Sequence, residues 1–115
     1  MKSTITLCGP ALFALLQLGS AVAHAQAGSD ARGLAATCFT CHGTDGRSVG
    51  GVPPALAGMD RNYLLQQMQD FKSGKRPSTI MHQHAKGYSD AQLQLIAGYF
   101  AGVKPAAGTP APRAN

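Results

Sequence analysis

Cys38-Phe39-Thr40-Cys41-His42 decides how this chain is read. The run is C-x-x-C-H, the spacing of a c-type haem attachment site. Two thiols three residues apart add to the vinyl groups along one edge of the macrocycle, and the adjacent His42 falls beneath the iron as proximal ligand. Two other chemistries share parts of the pattern. A redox dithiol needs a βαβ unit around its C-x-x-C, and none is visible here. A zinc site drawn from Cys38, Cys41, His82 and His84 would use H-x-H, where zinc sites use a spacing of three to five residues. The reading is one covalent haem c.

Toward the N-terminus, residues 1–25 read as a cleaved export signal. Lys2 supplies the positive start, Ile5 to Leu18 the apolar stretch, and Ala23-His24-Ala25 a small-x-small cleavage site. Gly9-Pro10 and Gln17 interrupt the apolar stretch, which is short for a membrane span. Cleavage implies a periplasmic protein with no span in the mature chain. It also removes Cys8, leaving two cysteines for the haem and none for a disulfide.

Residues 26–103 are expected to form one small haem domain, and residues 104–115, rich in Pro, Ala and Gly, a disordered tail. So small a domain gains from a covalent staple, and a haem supplies apolar core that a chain without Trp lacks. The formal charge of +5 suits acidic protein partners or an anionic membrane face, or simply solubility. No basic block with interleaved aromatics points to nucleic acid.

The expected fold is all-α, with three main helices. The first covers residues 29–37, capped by Ser29 or Asp30. Gly33 inside it is either tolerated or kept for close approach of another helix. Gly43 to Gly58 is a turn-rich loop with Pro53 and Pro54 at its centre. A ligating His commonly donates its second N–H to a carbonyl, and Pro54 is a candidate because its backbone can only accept. Asp60 caps a helix from Arg61 to Lys72, ended by Gly74 and Pro77. Residues 77–88 read as a second loop. Ser89-Asp90-Ala91-Gln92 is a capping box, opening a last helix with Leu93, Ile96, Ala97 and Phe100 on one face. Lys72 to Arg76 is either a docking patch or a solvated helix end.

A second axial ligand must come from Met59, Met68, Met81, His82 or His84. Met59 follows the proline turn closely, and Met68 lies on a helix face suited to packing. Met81 sits in the second loop, after enough chain to pass round the haem. His82 and His84 share that loop, so spacing alone leaves methionine and histidine ligation both open.

Helix, C-x-x-C-H, proline loop, helix, methionine loop and final helix together resemble a class I cytochrome c, from Gly28 to about Val103. The stretch from Phe71 to Tyr88 resembles the haem subunit of flavocytochrome c sulfide dehydrogenase, with a looser likeness to cytochromes c4 and c553. The resemblance implies Met81 as distal ligand and Pro54 as the carbonyl that holds the proximal imidazole. It implies packing of the first and last helices through Gly33 and Tyr99 or Phe100. Two-haem subunits occur in that family; this chain has one motif and departs from them. The implied function is electron transfer without catalysis by this chain itself. It would accept electrons from the flavoprotein (FAD) subunit of a sulfide dehydrogenase, and an apolar patch around the haem crevice is then expected. The alternative is a free-diffusing carrier shuttling electrons between other redox proteins, a membrane complex on one side and a terminal oxidase or reductase on the other.

Overall fold

The computed structural model describes residues 30–108. Residues 1–29, which include the expected export signal and the Ser29 cap, and residues 109–115 of the tail lie outside the described residues. No strand occurs among the described residues, and the architecture is all-α.

Helix α1 spans residues 30–42. It tightens to a 3₁₀ turn over Ala36–Cys38 and closes as Phe39–His42. It therefore runs through the C-x-x-C-H motif, where the sequence suggested a stop near residue 37. Cys and Thr are indifferent helix formers, so propensity fades there, and tertiary packing of Phe39 carries the helix on. Gly43, at φ 79° and ψ 158°, ends it.

Helix α2, Arg61–Ser73, starts where expected: Asp60 accepts a hydrogen bond from Tyr63 N at 2.8 Å. Gly74, at φ 80°, closes it with a bond from its N–H to Phe71 O. Helix α3, Met81–Lys86, occupies part of what was expected to be loop. Six residues are too few to display a helical period, and only Ala85 among them is buried. Helix α4, Asp90–Gly102, has the complete Ser89–Gln92 capping box, and Leu93, Ile96, Ala97 and Phe100 are its buried face.

Ala35, Leu64, Ile96, Ala97 and Phe100 form the core where α1, α2 and α4 meet. Phe39 stacks at 6.2 Å from Tyr99 and 6.3 Å from Phe100, which are themselves 5.3 Å apart, so an aromatic trio joins α1 to α4. Gly33 takes no part: it is exposed, and a Cβ there would meet nothing within 4 Å. The tight approach falls at Gly46 instead. At φ +75°, its added Cβ would sit 2.8 Å from the Phe100 ring and 3.0 Å from Ala57 N. Only glycine adopts that backbone freely. The Gly46 carbonyl also accepts from Leu56 N and Ala57 N, and Gly58 N donates to Phe100 O. The proline loop is thereby tied at its root to the last helix.

The cations at the C-terminal end of α2 are engaged within the fold. Lys72 Nζ donates to Tyr88 O and to Asp90 Oδ1, both at 2.8 Å. Lys75 pairs with Asp70, and Arg76 bonds Gln67 and lies over the Phe71 ring. This segment is a braced helix end.

Candidate functional site

An apolar cleft of about 400 Å³ opens between α1, the proline loop, α2 and α3. That is within the usual range for a cofactor site, roughly 300–1,000 Å³. The last turns of α1 place Cys38, Cys41 and His42 along one wall, and Pro53 and Pro54 continue it. Leu64, Met68 and Phe71 of α2 and Ile96 and Phe100 of α4 line it further, and α3 contributes Met81 and His84. All five residues expected from the sequence, Cys38, Cys41, His42, Pro54 and Met81, meet in this one cleft.

His42 is buried at 7 % exposure, and its Nδ1 lies 2.7 Å from Pro54 O. A carbonyl can only accept, so the proton resides on Nδ1 and Nε2 keeps its lone pair. Nε2 has no hydrogen-bond partner among the described residues. Cys38 is half-buried and Cys41 exposed, and neither is in a disulfide. Burial pushes the Cys38 thiol up from its ordinary value; the Thr37 hydroxyl opposes this, and neighbouring Cys41 adds to it. Two thiols, an imidazole with one nitrogen free and apolar walls are the donor set and surroundings that haem c needs.

The distal candidates separate in part. His82 does not line the cleft. Its Nδ1 is 3.0 Å from Ser78 O, and its backbone N–H donates to Ser78 Oγ at 2.9 Å. Met59, Met68, Met81 and His84 all reach the cleft. Met59 also packs against the core cluster.

Sequence reasoning missed Thr37 and Tyr88. Both line the cleft, their hydroxyls are hydrogen-bonded, and Tyr88 Oη also reaches Leu34 O at 3.5 Å. The available signal was position: Tyr88 immediately precedes the Ser89 cap, where a staple residue sits. Asp45 was missed as well. At φ 53° it occupies the turn after the motif, accepts from Tyr99 Oη at 2.5 Å and pairs with Arg32 and Arg47, each at 3.2 Å.

Across its surface Val49 is 96 % exposed, Val52 90 % and Ile80 53 %. Val52 adjoins the cleft-lining Pro53, and Ile80 lines the cleft itself. No helix among the described residues is long and apolar enough to cross a membrane.

Comparison with known proteins agrees with this geometry. The cytochrome subunit of sulfide dehydrogenase from Chlorobaculum tepidum is 46% identical over 67 residues, covering 58% of this chain and 60% of that protein. Cytochrome c4 from Azotobacter vinelandii is 39% identical over 110 residues, covering 86% of this chain and 52% of that protein. A thiosulfate dehydrogenase structure from Marichromatium purpuratum superposes with a TM-score of 0.63 at 25% identity, covering 74% of this chain and 20% of that one. The chain thus spans little more than half the length of the curated relatives it matches. The family model described as Cytochrome c matches residues 25–104. That match runs from ahead of the motif to the end of the last helix, and with one C-x-x-C-H for one covalent haem c the chain belongs to the cytochrome c family of electron-transfer proteins.

Proposed function

We propose that this chain is an exported, periplasmic electron acceptor, the cytochrome subunit that serves a flavoprotein sulfide dehydrogenase, with His42 and Met81 as its axial ligands. The observation that carries the site is the 2.7 Å contact between His42 Nδ1 and Pro54 O. It places the imidazole proton on Nδ1 and leaves Nε2 as the atom that would ligate haem iron, and a carbonyl partner makes a ligating imidazole more basic. When bound, haem c supplies a one-electron couple at its iron. Cys38 and Cys41 would hold it as thioethers, and the apolar walls from Leu64, Ile96 and Phe100 would shield it from water. Met81, with a neutral sulfur, favours the reduced form and raises the potential.

With His42 and Met81 on the iron, sulfide has no open position to occupy. Its two-electron oxidation then falls to the flavin of the partner, and this chain takes the electrons singly. The likeness to a sulfide dehydrogenase cytochrome subunit supports that partner. So do the exposed apolar side chains Ile80, which lines the cleft, and Val52, next to the cleft-lining Pro53, since exposed apolar surface at a cleft marks a contact surface. A lasting complex should bury more than about 1,000 Å² in total.

The test mixes the haem-loaded protein with sulfide, with and without the candidate flavoprotein. Rapid haem reduction only with the flavoprotein, and co-elution of the two, is the expected result. Failure to associate at micromolar concentration, with fast exchange to an oxidase instead, would make the chain a free-diffusing carrier.

A further inference from the structure

We infer that His84 is a second distal ligand, seated one helical turn behind Met81 and able to take the iron when the thioether leaves it. The inference rests on the ligand assignment above. Met81 and His84 are the first and fourth residues of α3, and residues three apart share a helix face. Both line the cleft. His82, between them in sequence, is directed elsewhere by its bonds to Ser78 and does not line it.

His84 also has nothing to give up. Its ring makes no hydrogen bond among the described residues, and the residue is exposed. Met59 and Met68 are worse placed to substitute. Met59 packs on the core cluster, and Met68 lies within the thirteen-residue body of α2. Moving either displaces the packing around it.

Helix α3 is the short element that carries both side chains. It has six residues and Ala85 as its one buried residue, and the bond from His82 N to Ser78 Oγ at its start is the side-chain tie that a shift would break. Advancing it by three residues along its axis is a shift of about 4.5 Å, less than one turn. Helix shifts of up to a turn are an established form of switching. In the exchange an iron–sulfur bond breaks and an iron–nitrogen bond forms, with no change of oxidation state. Replacing methionine with a second imidazole lowers the potential. The protein would then hold its haem at either of two potentials, selected by the position of one short helix.

The experiment uses the full haem-loaded chain with Met81→Ala and, in case that variant folds poorly, the near-isosteric Met81→Leu. Absorption and electron paramagnetic resonance report spin state and ligand type. The expected result is loss of the thioether–ferric charge-transfer band with a retained low-spin spectrum of two-imidazole character. Adding His84→Ala should convert that spectrum to high spin, whereas adding His82→Ala should leave it low spin. High-spin iron in both single variants, or a low-spin spectrum that survives in Met81→Leu/His84→Ala, would overturn the inference while leaving Met81 as the native ligand. A thioether band persisting in both Met81 variants would overturn the ligand assignment itself, and this inference with it.

Discussion

Tyr99 Oη donates to Asp45 Oδ1 at 2.5 Å, and this bond joins the last helix to the turn that follows the C-x-x-C-H motif. Arg32 and Arg47 reach the same carboxylate from α1 and from the turn. Asp45 is thus the hinge pin of the segment that leads from His42 to Pro54.

That arrangement gives stability a definite pH dependence. The Tyr99 hydrogen bond, followed by the nearby Arg32 and Arg47 charges, holds the Asp45 carboxyl below its ordinary value of 3.8. A depressed acid stabilises the fold above its unfolded-state value, and this is lost as pH falls toward the folded one. Burial, then the Asp45 bond, pushes the Tyr99 hydroxyl above its ordinary 10.0. That contribution is present below pH 10 and is lost as pH rises through the folded value. Thermal melts followed by circular dichroism should show Asp45→Asn with a shallower acid limb and Tyr99→Phe with a shallower alkaline limb. Parallel curves for wild type and both variants would refute the coupling.

The Pro54 carbonyl should tune the haem. Pro54→Gly keeps the carbonyl but frees the backbone that aims it, so the bond from His42 Nδ1 weakens and the imidazole donates less electron density. The ferric state loses support, and the midpoint potential should rise. The rise should be below the ~59 mV of a tenfold one-electron change. Potentiometric titration checks this; an unchanged or lower potential would separate the carbonyl from redox tuning.

Two glycines should respond in opposite senses to alanine. Gly46→Ala forces a Cβ to within 2.8 Å of the Phe100 ring at a positive φ, and should destabilise by about 2–4 kcal/mol. Gly33→Ala meets nothing within 4 Å on an exposed helix face, and should stabilise by about 0.5–1 kcal/mol. Denaturant melts of the haem-loaded variants measure both, and equal effects would mean that the contact at Gly46 is relieved at no cost.

Removing the cap of α4 should cost about 1 kcal/mol. Ser89 accepts from Gln92 N at 3.2 Å, and the Gln92 side chain accepts from Ser89 N at 2.9 Å. Ser89→Ala and Gln92→Ala each break one bond of this pair and leave the other, so each should lose less in a thermal melt than the double variant.

The haem motif and both capped helices were legible because each is a short-range pattern with its own chemistry. Asp60 and Ser89 declare helix starts by side-chain hydrogen bonds reaching only three residues, and the Leu93–Ile96–Ala97–Phe100 stripe declares a buried face. Pro54 was legible through what proline lacks. Helix α3 was not, because one buried alanine in six residues leaves no period to see. Gly33 misled for a related reason. Glycine in a helix signals close approach only if something approaches, and what Tyr99 and Phe100 meet on α1 is Phe39. The Asp45 network links positions 13 and 54 residues away, and nothing local in the sequence records such a link.

Of the eight apolar residues buried among the described residues, four are alanine: Ala35, Ala57, Ala85 and Ala97. Small side chains make a thin core, and Leu64, Ile96, Ala97 and Phe100 of that core also line the cleft. A sealed void the size of the cleft would cost up to about 10 kcal/mol at ~24 cal/mol per Å³, comparable to the whole stability of a small domain. A haem held by Cys38 and Cys41 would fill that space, so the haem-loaded chain should resist proteolysis better than the same chain without haem.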